Sequence, residues 1–249
     1  MNRPIKIGLI AEGETELGKS IPYIKPEEGG KPIPRENEGA LHTLIRRELE
    51  AIGIADCEFI QRRPTTKTEK NKKILRTGYS ILQKKYLQQL ILAWMPEEID
   101  MIVIVADADD ILEKRKDALA KALKTIQANH LDVDEQPIAD RSLGGLAIRN
   151  FETWLLADSH TVAKLLEVEI NPIKDLENSE ITKTILEKAI AKSNYLAEQT
   201  NNQRPFQIRW NLAKEINLTK LRDFCPHGYQ PFQKSLITIA QEVNNSIQN

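Results

Sequence analysis

MIVIVA, residues 101–106, runs straight into DADD at residues 107–110. Six apolar residues in succession are too few to cross a bilayer, which needs roughly 20. They are also too uniform for a strand with one wet face. The run predicts a strand buried on both sides, as in a parallel sheet covered by helices. A second run of the same kind holds Ile5, Ile7, Leu9 and Ile10 and ends at Glu12-Gly13. Outward from these two, Leu41, Leu44, Ile45 and Leu49 share one stripe and predict a helix over 39–52, stopped by Gly53. Residues 57–61 read as a strand, 72–94 as a helix closed by Pro96, and 111–129 as a charged amphipathic helix. Strands near 133–138 and 146–149 and a helix from about Asn150 follow. Strands alternating with helices predict an α/β fold with a Rossmann-like, mainly parallel sheet. From residue 171 onward only helical patterns occur, at 181–199, 206–216 and 230–245. The expected division is an α/β domain over 1–170 and a helical C-terminal extension over 171–249, packed on it.

Composition narrows the class. Hydrophobic residues at 41% and charged residues at 29% fit a soluble globular chain and argue against disorder. The 35 basic and 36 acidic residues leave a net charge of -1, which excludes a uniformly basic nucleic-acid coat but not a local patch. The apolar stretch 5–11 is broken by Lys6 and followed at once by acids, unlike a signal peptide. Cys57 and Cys225 are too few for a disulfide framework or a zinc site, so the expected compartment is a reducing cytoplasm, away from membranes. The chain has no Walker lysine motif, no GxGxxG and no GxSxG, which removes support for nucleotide hydrolysis, dinucleotide redox chemistry and serine hydrolysis.

Both apolar strands end in acids. In open parallel sheets the carboxyl ends of strands border the crevice where ligands bind. The first exits through Glu12-Gly13-Glu14-Thr15-Glu16, where one helical turn would bring Glu12 and Glu16 to the same side. The other exits through Asp107-Ala108-Asp109, where alternation along extended chain predicts that both aspartates face one point. Converging carboxylates repel one another unless a cation joins them, and oxygen-only ligands select Mg2+ or Mn2+. Glu152, after a predicted strand, is a further candidate for the same crevice, or else a first-turn acid serving the helix dipole. Trp154, Leu155 and Leu156 read as core.

The segments IGLIAEGETE (7–16) and IVIVADADD (102–110) resemble the TOPRIM domain shared by topoisomerases, bacterial primases, recombination factors and OLD-type nucleases. RNFETWLLAD (149–158) is similar to a stretch in an uncharacterised TOPRIM-like branch linked to phage-defence systems, some members of which stand beside ATPases. The likeness covers residues 5–158. It implies that Glu12, Asp107 and Asp109 are metal ligands, with Glu12 also able to act as acid or base. It matches Glu16 to the second glutamate of the OLD-like form. It implies a Mg2+-dependent nuclease with an AAA- or ABC-type ATPase as partner. One departure is the proline-rich segment 21–35, which intervenes where most TOPRIM domains place a helix.

Between residues 61 and 86 lie Arg62, Arg63, Lys67, Lys70, Lys72, Lys73, Arg76, Lys84 and Lys85 against Glu69 alone. RRPTTKTEKNKK (62–73) carries no hydrophobic residue and reads as an exposed loop able to attract a phosphate backbone, DNA being the expected partner. The leading expectation is therefore a metal-dependent endonuclease acting in phage defence or DNA processing. The alternatives are a non-catalytic scaffold that binds nucleic acid or a partner, and a phosphatase of haloacid-dehalogenase type, in which Glu12 would have no role. No pattern specifies an oligomeric state.

Overall fold

The computed structural model describes residues 3–19, 32–60, 65–67, 73–75, 78–94, 99–128, 141–199 and 202–248. The chain order is β1 (Ile5–Ile10), α1 (Glu14–Leu17), α2 (Ala40–Glu50), β2 (Cys57–Ile60), β3 (Thr65–Lys67), β4 (Lys73–Leu75), α3 (Lys84–Trp94) and β5 (Met101–Asp107). It continues with α4 (Leu112–Ala128), β6 (Ser142–Ala147), α5 (Phe151–Leu156), α6 (Ser159–Leu166), α7 (Thr182–Lys192), α8 (Arg204–Glu215), α9 (Leu218–Phe224) and α10 (Tyr229–Gln248). Strands β2, β1, β5 and β6 form, in that order, a four-stranded sheet that is parallel throughout. The fold is α/β with a Rossmann-like parallel sheet and C-terminal helices.

Alternation explains why β1 and β5 are apolar at nearly every position. Ile5, Ile7, Leu9, Met101, Val103 and Val105 point into one core, which α2, α5, α8 and α10 complete. Ile10, Ile102, Ile104 and Ala106 point into the other, covered by α3 and α4. Each large aliphatic side chain buried this way contributes roughly 1.5–3 kcal/mol. The helices after residue 171 close the first core: Tyr229, Phe232, Leu236, Ala240 and Val243 of α10 belong to it. Trp154 of α5 is fully buried against them, 5.0 Å from the Tyr229 ring and 5.6 Å from Phe232.

Three local expectations need correction. The final strand runs from Ser142 to Ala147 rather than over 146–149, and Gly144-Gly145 lie inside it. A Cβ at Gly144 would stand 2.7 Å from Leu119 of α4, and one at Gly145 would stand 2.7 Å from Phe232 of α10. The glycines are there so that helices on both faces approach the sheet. The helix expected from residue 72 begins at Lys84, after a 3-10 turn at Gly78–Leu82. Within 62–73, read as a loop, Thr65–Lys67 pairs antiparallel with Lys73–Leu75. Ile74 and Leu75 fit a period of two as well as one of 3.6, and the β-branched Thr65 and Thr66 favour the ladder. The strand expected at 133–138 and most of the segment 21–35 lie outside the described residues. Among the described residues no helix is long and apolar enough to cross a membrane.

Candidate functional site

Acidic residues follow the carboxyl ends of three adjacent parallel strands. Glu12 lies two residues past β1, Asp107 closes β5, and Glu152 sits in the first turn of α5 after β6. The Oε1 atom of Glu12 accepts a hydrogen bond of 2.9 Å from the Asp107 N–H, so the exit of β1 reaches across to the end of β5. Glu16 lies in the short helix α1, where it accepts from the Gly13 N–H at 3.0 Å. Helix α1 is held from two sides. The indole N–H of Trp210 donates to the Glu14 carbonyl at 3.0 Å, and the Lys19 N–H donates to the Asn37 carbonyl at 3.0 Å. That second contact brings Gly39 so close that a Cβ there would meet the Glu16 carbonyl oxygen at 2.3 Å.

Asp109 departs from the expected alternation. The strand ends at Asp107, and Asp109 adopts a left-handed backbone with φ of 49°. Its N–H donates to the carbonyl of Arg149, another non-glycine residue at positive φ, 67°. The bridge between these two residues joins the ends of β5 and β6 and turns the Asp109 side chain toward Arg115, with which it forms an ion pair. Strained backbone of this kind costs about 1–3 kcal/mol per residue and clusters at functional sites. The charge of Asp109 still acts on Glu12 and Asp107.

Electrostatics bind the set together. Burial, and then repulsion from Glu16, Glu12, Glu152 and Asp109, holds the Asp107 carboxyl well above the usual carboxylate range. Burial, and then Glu152 and Glu12, pushes Glu16 up to about 7. Burial raises Glu12, against the lowering effect of the Asp107 N–H and of Arg115. These groups fit a hard divalent cation in chemistry, being oxygen donors whose mutual repulsion a cation would relieve. Among the described residues, however, no three His, Cys, Asp or Glu side chains are drawn into a metal-ligating arrangement.

Two arginines at the site escape motif reading. Arg115 on α4 pairs with Asp109, and Arg209 on α8 approaches Glu152 at 3.3 Å. Both are buried. Their sequence signal is a basic residue on an apolar stripe: Arg115 precedes Ala118, Leu119 and Ala122, and Arg209 precedes Leu212, Ala213 and Ile216 at helical spacing. At the rim, Arg149 pairs with both Asp110 and Glu180. Asp158, which closes the third motif, has a structural task. It caps α6, accepts from the Asn217 N–H at 3.1 Å and pairs with Lys220.

Of the candidate nucleic-acid contacts, Arg62, Arg63, Lys70, Lys72 and Arg76 lie outside the described residues. Lys67 and Lys73 occupy opposite register positions in the β3–β4 pair.

No curated protein and no solved structure matches the chain. A family model matches residues 36–233, a span that holds Asp107, Asp109, Arg115, Glu152 and Arg209 and begins after Glu12 and Glu16. The chain therefore belongs to the family described as "Domain of unknown function (DUF4276)".

Proposed function

We propose that the protein is a metal-dependent endonuclease that hydrolyses nucleic-acid phosphodiesters, DNA foremost, with Mg2+ or Mn2+ as cofactor. One observation carries this reading: carboxylates follow the ends of three neighbouring parallel strands closely enough that Glu12, Glu152 and Asp109 add to the effect of burial in raising the pKa of Asp107. Such crowding at a strand-end crevice is poorly explained by packing and well explained by a cation. Glu12, Asp107 and Asp109 would hold it, with Glu152 as a further ligand. Bound there, a divalent ion supplies an activated water and stabilises charge on the leaving oxygen.

The chain's own residues have separable tasks. Asp107 and Glu12, linked through the Asp107 N–H, keep two strand ends in register at the reacting centre. Glu16, buried and titrating near neutrality, is suited to hold a proton and release it during the reaction. Arg115 restrains Asp109. The basic segment 62–76 would hold the phosphate backbone without reading sequence. The resemblance to TOPRIM nucleases adds an ATPase partner and a setting in phage defence or DNA processing. Both cysteines are free and buried, in keeping with a reducing cytoplasm.

The test is incubation of supercoiled plasmid with the protein and Mg2+ or Mn2+. Nicking or linearisation is expected, absent in EDTA and lost in Glu12→Gln and Asp107→Asn proteins that remain folded. A second reading is favoured by the ion pairs that occupy Asp109 and Asp110: the acids serve structure, and the chain is a scaffold for nucleic acid or a partner. DNA binding without turnover under any divalent ion would establish that reading instead.

A further inference from the structure

We infer that Arg209 is a positioning residue of the carboxylate site, acting through Glu152, and that helix α8 is thereby one wall of the site. The metal-binding part of this inference rests on the hydrolase reading. Side-chain exposure is 8% for Arg209 and 10% for Glu152, so water screens their attraction little. The guanidinium is held by its own helix, donating from Nη1 to the Pro205 carbonyl at 3.1 Å. Its Nε forms an ion pair with Glu152 Oε1 at 3.3 Å without hydrogen-bond geometry, so the buried guanidinium is aimed at the acidic cluster. A buried ion pair of this kind adds little net stability, because desolvation offsets its attraction, and its value lies in fixing where the two groups sit.

The next residue points the same way. Trp210 anchors α8 to the Glu14 carbonyl, two residues from Glu16. Residues 209 and 210 thus brace two of the acids that come from outside β5, Glu152 and, through helix α1, Glu16. Glu152 acts electrostatically on both Glu16 and Asp107. Without Arg209 it would be a buried carboxylate with no ion-pair partner among the described residues, and it would turn away. Arg209 keeps it in place.

The test compares full-length Arg209→Gln, Arg209→Lys, Glu152→Gln and the Glu152→Gln/Arg209→Gln double variant. Mn2+ affinity is measured by calorimetry, and denaturant unfolding is measured in EDTA. Arg209→Gln is expected to weaken Mn2+ binding roughly 10- to 100-fold, the range typical of partners that orient a ligand. Arg209→Lys should recover most of that loss, and the double variant should bind no more weakly than Glu152→Gln. Unchanged or tighter Mn2+ binding in Arg209→Gln, or additive losses in the double variant, overturns the inference. If Arg209→Gln does not fold, the double variant leaves no lone buried charge, and its comparison with Glu152→Gln answers the same question. Wild-type protein that binds Mn2+ but cuts no nucleic acid overturns the hydrolase reading and leaves Arg209 in its role. Wild-type protein that binds no Mn2+ overturns the cation site. The unfolding cycle then decides, with coupling between positions 152 and 209 in support and additivity against.

Discussion

Asp107 ends the most deeply buried strand of the sheet, where a methyl or amide side chain would cost the fold less than a carboxylate. Its raised pKa, and those of Glu16 and Glu12, mean that the folded chain binds more protons than the unfolded chain. For Glu16, the favourable contribution of protonation is complete below about 4.5 and is lost as pH climbs to about 7. A rise of that size corresponds to roughly 3 kcal/mol at 1.36 kcal/mol per unit. Metal-free protein in EDTA is therefore expected to lose stability between pH 5 and pH 8, with Glu16→Gln flattening that slope; urea unfolding at several pH values measures both. Asp107→Asn removes a charge the fold disfavours. It should stabilise the metal-free protein at pH 8 by about 1–3 kcal/mol while abolishing cleavage. Added Mg2+ should raise the melting temperature of wild-type protein and leave that of Asp107→Asn unchanged.

At the level of elements, backbone proximity shapes the site. Strand β6 admits α4 on one face and α10 on the other because Gly144 and Gly145 carry no side chains. A methyl at 145 would stand 2.7 Å from Phe232, so Gly145→Ala should destabilise the protein by about 1–3 kcal/mol, read as a lower urea midpoint. That close approach was illegible beforehand, since the two glycines of SLGGLA carry no apolar pattern, and the expected strand started only at residue 146. The strand exits at Glu12 and Asp107 were legible, because an acid directly after a doubly buried strand has no packing explanation. The bend at Asp109 was not. It follows from the pairing of Asp109 with Arg149, residues 40 positions apart, and local alternation carries no information about such a contact. Arg115 and Arg209 were legible in part: each breaks an apolar helical stripe, though the carboxylate each would meet was not foreseeable.

Across the whole molecule, the helices after residue 171 help build the core on one face of the sheet. Glu48 of α2, almost fully buried, accepts from Arg222, Tyr229 and Gln233, so a carboxylate from the first half is satisfied by side chains from the last helices. A chain ending at residue 170 would expose the apolar face that α10 covers and would leave Glu48 without those partners. It is expected to show no cooperative unfolding transition by circular dichroism and to bind a hydrophobic dye such as ANS.

The amino-acid sequence by itself determined the α/β class, the parallel sheet and the acids at its strand ends, because hydrophobic periodicity and strand termination are local properties of the chain. Only the tertiary structure decided which acids and arginines share one small volume and which acids carry raised pKa values. Desolvation and charge proximity depend on residues brought together from opposite ends of the sequence.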